Sequence, residues 1–194
     1  MPLTPKQQRD VAGRVRGVSV CFLFLALMLW WAGAADVWAG GDTIENAGDI
    51  LQFVLPGTAS ALTLAYRDWP GALQFGESAG VTLGVTYALK YSINERRPDG
   101  GNESFPSGHA SISFAAAEFM RKRYGWEYGL PAYAAATFVG YSRVESREHH
   151  TYDVVGGAAI GMVSSFIFTK PYKGWRLEPE TNGRYFGFKL SRDW

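Results

Sequence analysis

Uncharged stretches alternate with short charged connections along the chain. No charge falls between Gly17 and Ala35, whose centre reads VSVCFLFLALMLWW. Further runs free of Asp, Glu, Lys and Arg follow at Ile50–Tyr66, Ser78–Leu89, Ser104–Ala117, Tyr128–Ser142 and Val154–Thr169. Runs of this length suit buried core helices, and their Gly, Ala, Ser and Thr content allows helices to approach closely. The pattern predicts five helices after an N-terminal one, with Pro56 and Pro131 kinking or opening theirs. The last 25 residues change character. Phe186, Phe188 and Leu190 alternate with Gly187 and Lys189 after Asn182-Gly183, which predicts a small β-hairpin. The expected fold is all-α: a six-helix, membrane-spanning bundle with that hairpin appended. Its segments are a basic stretch 1–17, a helical domain 18–169 whose residues 18–35 form a first span or signal anchor, and a tail 170–194.

Composition narrows the partners. The chain's 194 residues give room for one domain with a core and not for two. Nineteen Lys+Arg against eighteen Asp+Glu, net +1, leave no long-range field for nucleic acid, so none is expected as a partner. Hydrophobic residues at 47% and charged ones at 19% exclude a disordered chain. The single cysteine excludes an intrachain disulfide and Cys-based zinc sites. Mean hydropathy is −0.10, low for a protein lying wholly in lipid.

The first uncharged run fits two descriptions, a membrane span and a secretory signal with Ala32-Gly33-Ala34 as its cleavage site. Charge placement favours spans. With six crossings, one side holds Lys6, Arg9, Arg14, Arg16, Arg67, Arg121-Lys122-Arg123, Lys170, Lys173 and Arg176. The first loop of the other side holds Asp36, Asp42, Glu45 and Asp49 and no base. That is the asymmetry of the positive-inside rule. Trp30-Trp31 and the aromatic residues of Tyr124–Tyr128 read as interfacial anchors. Glu77, inside an apolar run, reads as pairing with a base or facing a helix end.

Three clusters carry candidate chemistry, and six crossings would put all of them on the acidic, outer side. Lys90 precedes Arg97-Pro98 with six residues between. If the helix runs that far the two cations share a face, suited to a dianion as point charge and planar fork. In Pro106-Ser107-Gly108-His109, Ser107 suits an N-cap and Gly108 permits close backbone approach to an anion. A helix starting there aims N–H groups at phosphate, with His109 in the same pocket. Ser142-Arg143 precedes His149 and then Asp153, at i, i+4 spacing on a helix face. A carboxylate holding one imidazole nitrogen frees the other to act as base, ligand or nucleophile. No carboxylate cluster suits Mg²⁺. The sum is a phosphate site built without metal. Arg96 and Arg147 read as solvated bases near its mouth, and His150 as a neighbour lining the entrance or facing solvent.

K-x6-R-P, P-S-G-H and S-R-x5-H-x3-D resemble the three signatures of the type 2 phosphatidic acid phosphatase (PAP2) superfamily, which includes class A acid phosphatases and vanadium haloperoxidases. Every specified position matches, in order, across Lys90–Asp153. The resemblance implies that His149 is the nucleophile forming a phosphohistidine, that Asp153 orients it, and that His109 protonates the leaving oxygen. It implies a phosphate cradle of Lys90, Arg97, Ser107, Gly108 and Arg143, with no metal and no cofactor. The implied activity is a phosphatase acting on a lipid phosphate or diphosphate such as undecaprenyl diphosphate, phosphatidic acid, phosphatidylglycerophosphate or a lipid A phosphate. The expected partners are that substrate and membrane lipids, with no protein partner. The place is a bacterial inner membrane with the site facing the periplasm. The alternatives are a signal-cleaved soluble periplasmic acid phosphatase, a lipid phosphotransferase and a vanadium haloperoxidase.

Overall fold

The computed structural model describes residues 43–172 and, beyond them, the backbone of two strands. Expectations for residues 1–17, the run 18–35, Trp30-Trp31 and the Asn182-Gly183 turn lie outside the described residues. Five helices follow in order: α1 Thr43–Ala65, α2 Trp69–Ile93, α3 Gly108–Tyr124, α4 Trp126–Glu145 and α5 Thr151–Phe168. The strands β1 Trp175–Thr181 and β2 Phe186–Arg192 pair antiparallel, with Leu177 opposite Leu190.

Each helix contains most or all of one uncharged run and extends into the charges beside it. Thus α1 starts before Ile50 and carries Glu45 and Asp49, expected in a loop, on its first turns. It continues through Pro56, and α4 through Pro131. Neither proline ends its helix: buried Leu55 and Ala59 lie on either side of Pro56, and buried Gly129 and Ala132 on either side of Pro131.

The core lies where α1, α3 and α4 meet: Leu55, Ala59 and Leu62 of α1, Ala116, Phe119 and Met120 of α3, and Ala136 and Val139 of α4. Central α3 packs against all four other helices. Against α5 it does so almost backbone to backbone. A Cβ at Gly157 would lie 2.4 Å from the Ser107 carbonyl oxygen, and one at Gly161 2.1 Å from that of Ser111. Only glycine permits this approach.

The outer helices reverse the usual polarity of a water-soluble bundle. α2 buries Ser78, Thr82, Thr86 and Lys90, with Thr86 Oγ1 bonded to Ser111 Oγ at 3.0 Å. It exposes Leu73 (70%), Val81, Val85, Tyr87 and Tyr91. α5 buries Asp153, Gly157, Gly161, Ser164 and Ser165 and exposes Val155, Val163, Phe166 and Ile167 (66%). By length and composition, α5 is among the described residues the one helix apolar enough to cross a membrane. Glu77 is exposed on α2.

The end of the bundle where α1, α3 and α5 finish is tied by a buried ion pair. Arg123 donates to both Asp68 carboxylate oxygens and, at 2.7 Å, to the Lys170 carbonyl. Asp68 also accepts from the Gly71 N–H at the start of α2 and from Tyr124 Oη. Burial pushes its carboxyl up, but the Arg123 guanidinium, the Gly71 amide and the Tyr124 hydroxyl outweigh that and leave it below the usual carboxylate range. Tyr124 stacks on Tyr66, and Tyr128 is buried with its hydroxyl 2.7 Å from that of Tyr66. Tyr124 and Tyr128 therefore belong to the packed end of the bundle and not to an outward belt; of the aromatic residues in that stretch Trp126 alone is largely exposed.

Candidate active site

All three clusters meet at the opposite end, where α2 and α4 finish and α3 and α5 begin. α2 stops at Ile93, and Asn94 takes a left-handed conformation (φ 47°) that lets its N–H cap the Lys90 carbonyl. Asparagine tolerates that conformation better than most residues. The helix therefore does not reach Arg97, and the expectation that Lys90 and Arg97 share a helical face is corrected. Arg97 is held in the following turn, its Nε donating to the Asn102 carbonyl at 3.1 Å. Lys90 Nζ donates to the Glu103 carbonyl at 2.6 Å. The two cations nevertheless act on each other and both act on His149.

Ser107 is the N-cap of α3, accepting from the Ala110 N–H, and its own N–H donates to the Asp153 carbonyl at 3.0 Å. Gly108 opens the helix. A Cβ there would meet Lys90 Cε only at ordinary contact distance, so that side of the helix start faces the lysine. His109 follows, its Nε2 donating to Asp49 Oδ1 at 3.0 Å; an ionised carboxylate only accepts, which fixes the proton on Nε2.

Arg143, fully buried in the last turn of α4, is the cation of the site with the most hydrogen bonds. It donates to Asp49 Oδ1 (2.7 Å), Glu148 Oε2 (2.9 Å) and the Glu45 carbonyl (2.6 Å). Room for it comes from Gly48, where a Cβ would lie 2.8 Å from its guanidinium and 1.9 Å from Ser142 Oγ. The Arg143 carbonyl receives the N–H groups of both Glu148 and His149, with Arg147 turning the chain at φ 59°. This compact turn sets His149 within the field of Lys90 and Arg97.

His149 and Asp153 do not share a helical face as the spacing suggested. α5 begins at Thr151, so His149 precedes it, because His150 is the N-cap and the Asp153 side chain bonds back to the His150 N–H at 2.8 Å. Asp153 Oδ2 also accepts from Ser104 Oγ at 2.5 Å and lies 3.3 Å from His150 Nδ1. His149 Nδ1 faces the same oxygen at 3.6 Å, beyond hydrogen-bond reach, and both Nδ1 and Asp153 Oδ1 are buried without a partner. His150 stacks flat on Tyr152; it caps α5 and is only partly exposed. Arg96 and Arg147 are exposed.

Sequence reasoning missed Asp49, Glu148 and Ser104. Asp49 did carry a signal: like Asp153, it is the acid immediately before an uncharged run. Ser104 had none, since a serine before a turn is ordinary.

Lys90, Arg97, the start of α3, Arg143 and the His149–Asp153 pair thus converge from five parts of the chain. Residues 99–176 match the PAP2 superfamily. The chain is 34% identical to a lipid A 4'-phosphatase of Helicobacter pylori, over 85% of this chain and 91% of that one. The chain belongs to the PAP2 superfamily. It is a phosphatase. A lipid A 1-phosphatase of Porphyromonas gingivalis is 35% identical over 54% of this chain but only 26% of its own length. The crystal structure of Aquifex aeolicus LpxE superposes with a TM-score of 0.50 at 20% identity, covering 62% of this chain and 84% of that one, a likeness of fold. The superfamily match spans Ser107 to Asp153 and leaves out Lys90 and Arg97, which the fold supplies from the end of α2 and the turn after it.

Proposed function

We propose that this PAP2 phosphatase is a membrane-embedded enzyme that removes a phosphate monoester from a lipid A-type glycolipid through a phosphohistidine on His149. The convergence of cations around one buried imidazole carries the chemistry. Lys90, Arg97 and Arg143 and the unpaired first N–H groups of α3 hold the phosphate oxygens and stabilise charge on the transferring group. His149 turns Nδ1 toward Asp153, which leaves Nε2 to attack. The Nε2–P bond forms as the P–O bond to the lipid oxygen breaks, and His109 gives its proton to that oxygen. A water then attacks phosphorus, its proton passing to His109, and inorganic phosphate leaves with His149 restored. Splitting the hydrolysis into two displacements lowers each barrier.

The outward apolar faces of α2 and α5 support membrane embedding: in water they would cost about 25 cal/mol per Å² of apolar surface left exposed, whereas lipid accepts them. The lipid A assignment draws support from the relative matched along nearly its whole length. On this reading Asp49 and the His149 turn lie toward the periplasm, and Arg67, Arg121, Lys122, Arg123 and Lys170 toward the cytoplasm, as the positive-inside rule requires. Purified enzyme assayed in detergent against lipid A, phosphatidic acid, phosphatidylglycerophosphate and undecaprenyl diphosphate tests the substrate. Phosphate release fastest from lipid A is expected; preference for a glycerolipid or prenyl diphosphate would overturn it.

A further inference from the structure

We propose that Asp49 is the positioning residue for the proton donor of the reaction, orienting the His109 ring toward the leaving oxygen and favouring its imidazolium form. This rests on the reading of His109 as the acid. Asp49 lies on α1, outside all three sequence signatures, and its Oδ1 accepts at once from His109 Nε2 (3.0 Å) and Arg143 (2.7 Å). A carboxylate on a phosphate-binding arginine works against phosphate affinity, since it occupies a donor and cancels charge. It therefore calls for a compensating role.

That role follows from the groups facing His109: Arg143 from α4, Glu148 from the turn after it, and Asp49 from α1. Burial, then Arg143, and with them the positive end of α3, oppose a proton on the imidazole and together prevail in the free site. Asp49 and Glu148 oppose that effect, and of these only Asp49 bonds the ring. With Nε2–H engaged by Asp49, Nδ1–H is the proton free to transfer. The approach of α1 that delivers Asp49 is built in at Gly48, where a side chain would collide with Ser142 and Arg143.

The test compares two substrates on each preparation, so the ratio of rates is independent of the folded fraction. An alkyl phosphate needs its leaving oxygen protonated; dinitrophenyl phosphate, with an acidic leaving group, does not. In Asp49→Asn the ratio of alkyl to dinitrophenyl kcat falls about tenfold, part of the roughly 10²–10⁴ that general acid catalysis supplies. The alkaline limb of its pH profile moves about one unit lower, and Asp49→Glu recovers part of the ratio. In His109→Ala the ratio falls further. An unchanged ratio and limb in Asp49→Asn, with the ratio lost in His109→Ala, overturns the assignment of Asp49. An unchanged ratio in His109→Ala removes the acid itself, and the inference with it.

Discussion

Burial, and then the charges of Lys90 and Arg97, hold the His149 imidazole well below its ordinary range, at about 4. The neutral, nucleophilic form therefore persists in the free enzyme down to mildly acidic pH. The same displacement makes a stability prediction. The unfolded chain binds a proton at His149 near pH 6.5 and the folded chain only near 4, so below 6.5 unfolding takes up a proton. This contribution to stability is complete above about 6.5 and is lost as pH falls toward 4. Thermal midpoints measured across that range should drop for the wild type more steeply than for His149→Gln, which has no such proton; parallel curves would contradict the burial of a neutral imidazole. The residues proposed as nucleophile, acid and cradle stood out in the sequence because their spacings are specific, and the structure brings them to one end of the bundle. Much of what holds them did not, because Ser104 and the Glu45 and Glu103 carbonyls come from positions with no pattern of their own, and the signal at Asp49, an acid just before an uncharged run, names no partner.

Among the helices, the α3–α5 contact does most to align the site, since Ser107 and Asp153 sit at the starts of the two helices and are bonded across it. Gly161→Ala places a methyl 2.1 Å from the Ser111 carbonyl oxygen, a backbone atom that yields only if the helices part. It should cost about 1–3 kcal/mol of stability and lower kcat by spreading His149, Asp153 and the α3 N-terminus. Gly80→Ala on the outer face of α2 meets nothing within 4 Å and should fall within about 1 kcal/mol of wild type, on the stabilising side. Melting curves of both in one detergent decide this; equal effects would mean that α3 and α5 are not packed this closely. The helices were visible as uncharged runs, but their ends were not. Asp49 was read as part of a loop, whereas it lies on α1 and bonds into the site, and the helix read as carrying Lys90 on toward Arg97 stops at Ile93.

At the scale of the whole molecule, the two ends of the bundle divide the labour between chemistry and cohesion. The Asp68–Arg123 pair, both partners almost fully buried, joins the chain before α2, the end of α3 and the chain after α5, far from the phosphate cradle. Arg123→Met strands a buried carboxylate and should cost about 3–5 kcal/mol. The kcat of the protein that remains folded should change less than twofold, as an active-site titration would read; a large loss per folded molecule would show that the far end governs the chemistry. The polarity of α2 and α5, with hydroxyls inside and large apolar side chains outside, is a property of the assembled bundle. Composition averages over it, which is why a mean hydropathy of −0.10 and a near-neutral charge pointed so weakly to lipid. In the proposed reaction phosphorus passes through one imidazole. The most direct measurement is rapid quenching of His109→Ala with radiolabelled lipid phosphate, followed by alkaline mapping of the labelled peptide. Label on His149, acid-labile and missing in His149→Ala, is the result expected. Turnover with no phosphoenzyme at His149, or label on another residue, would contradict it.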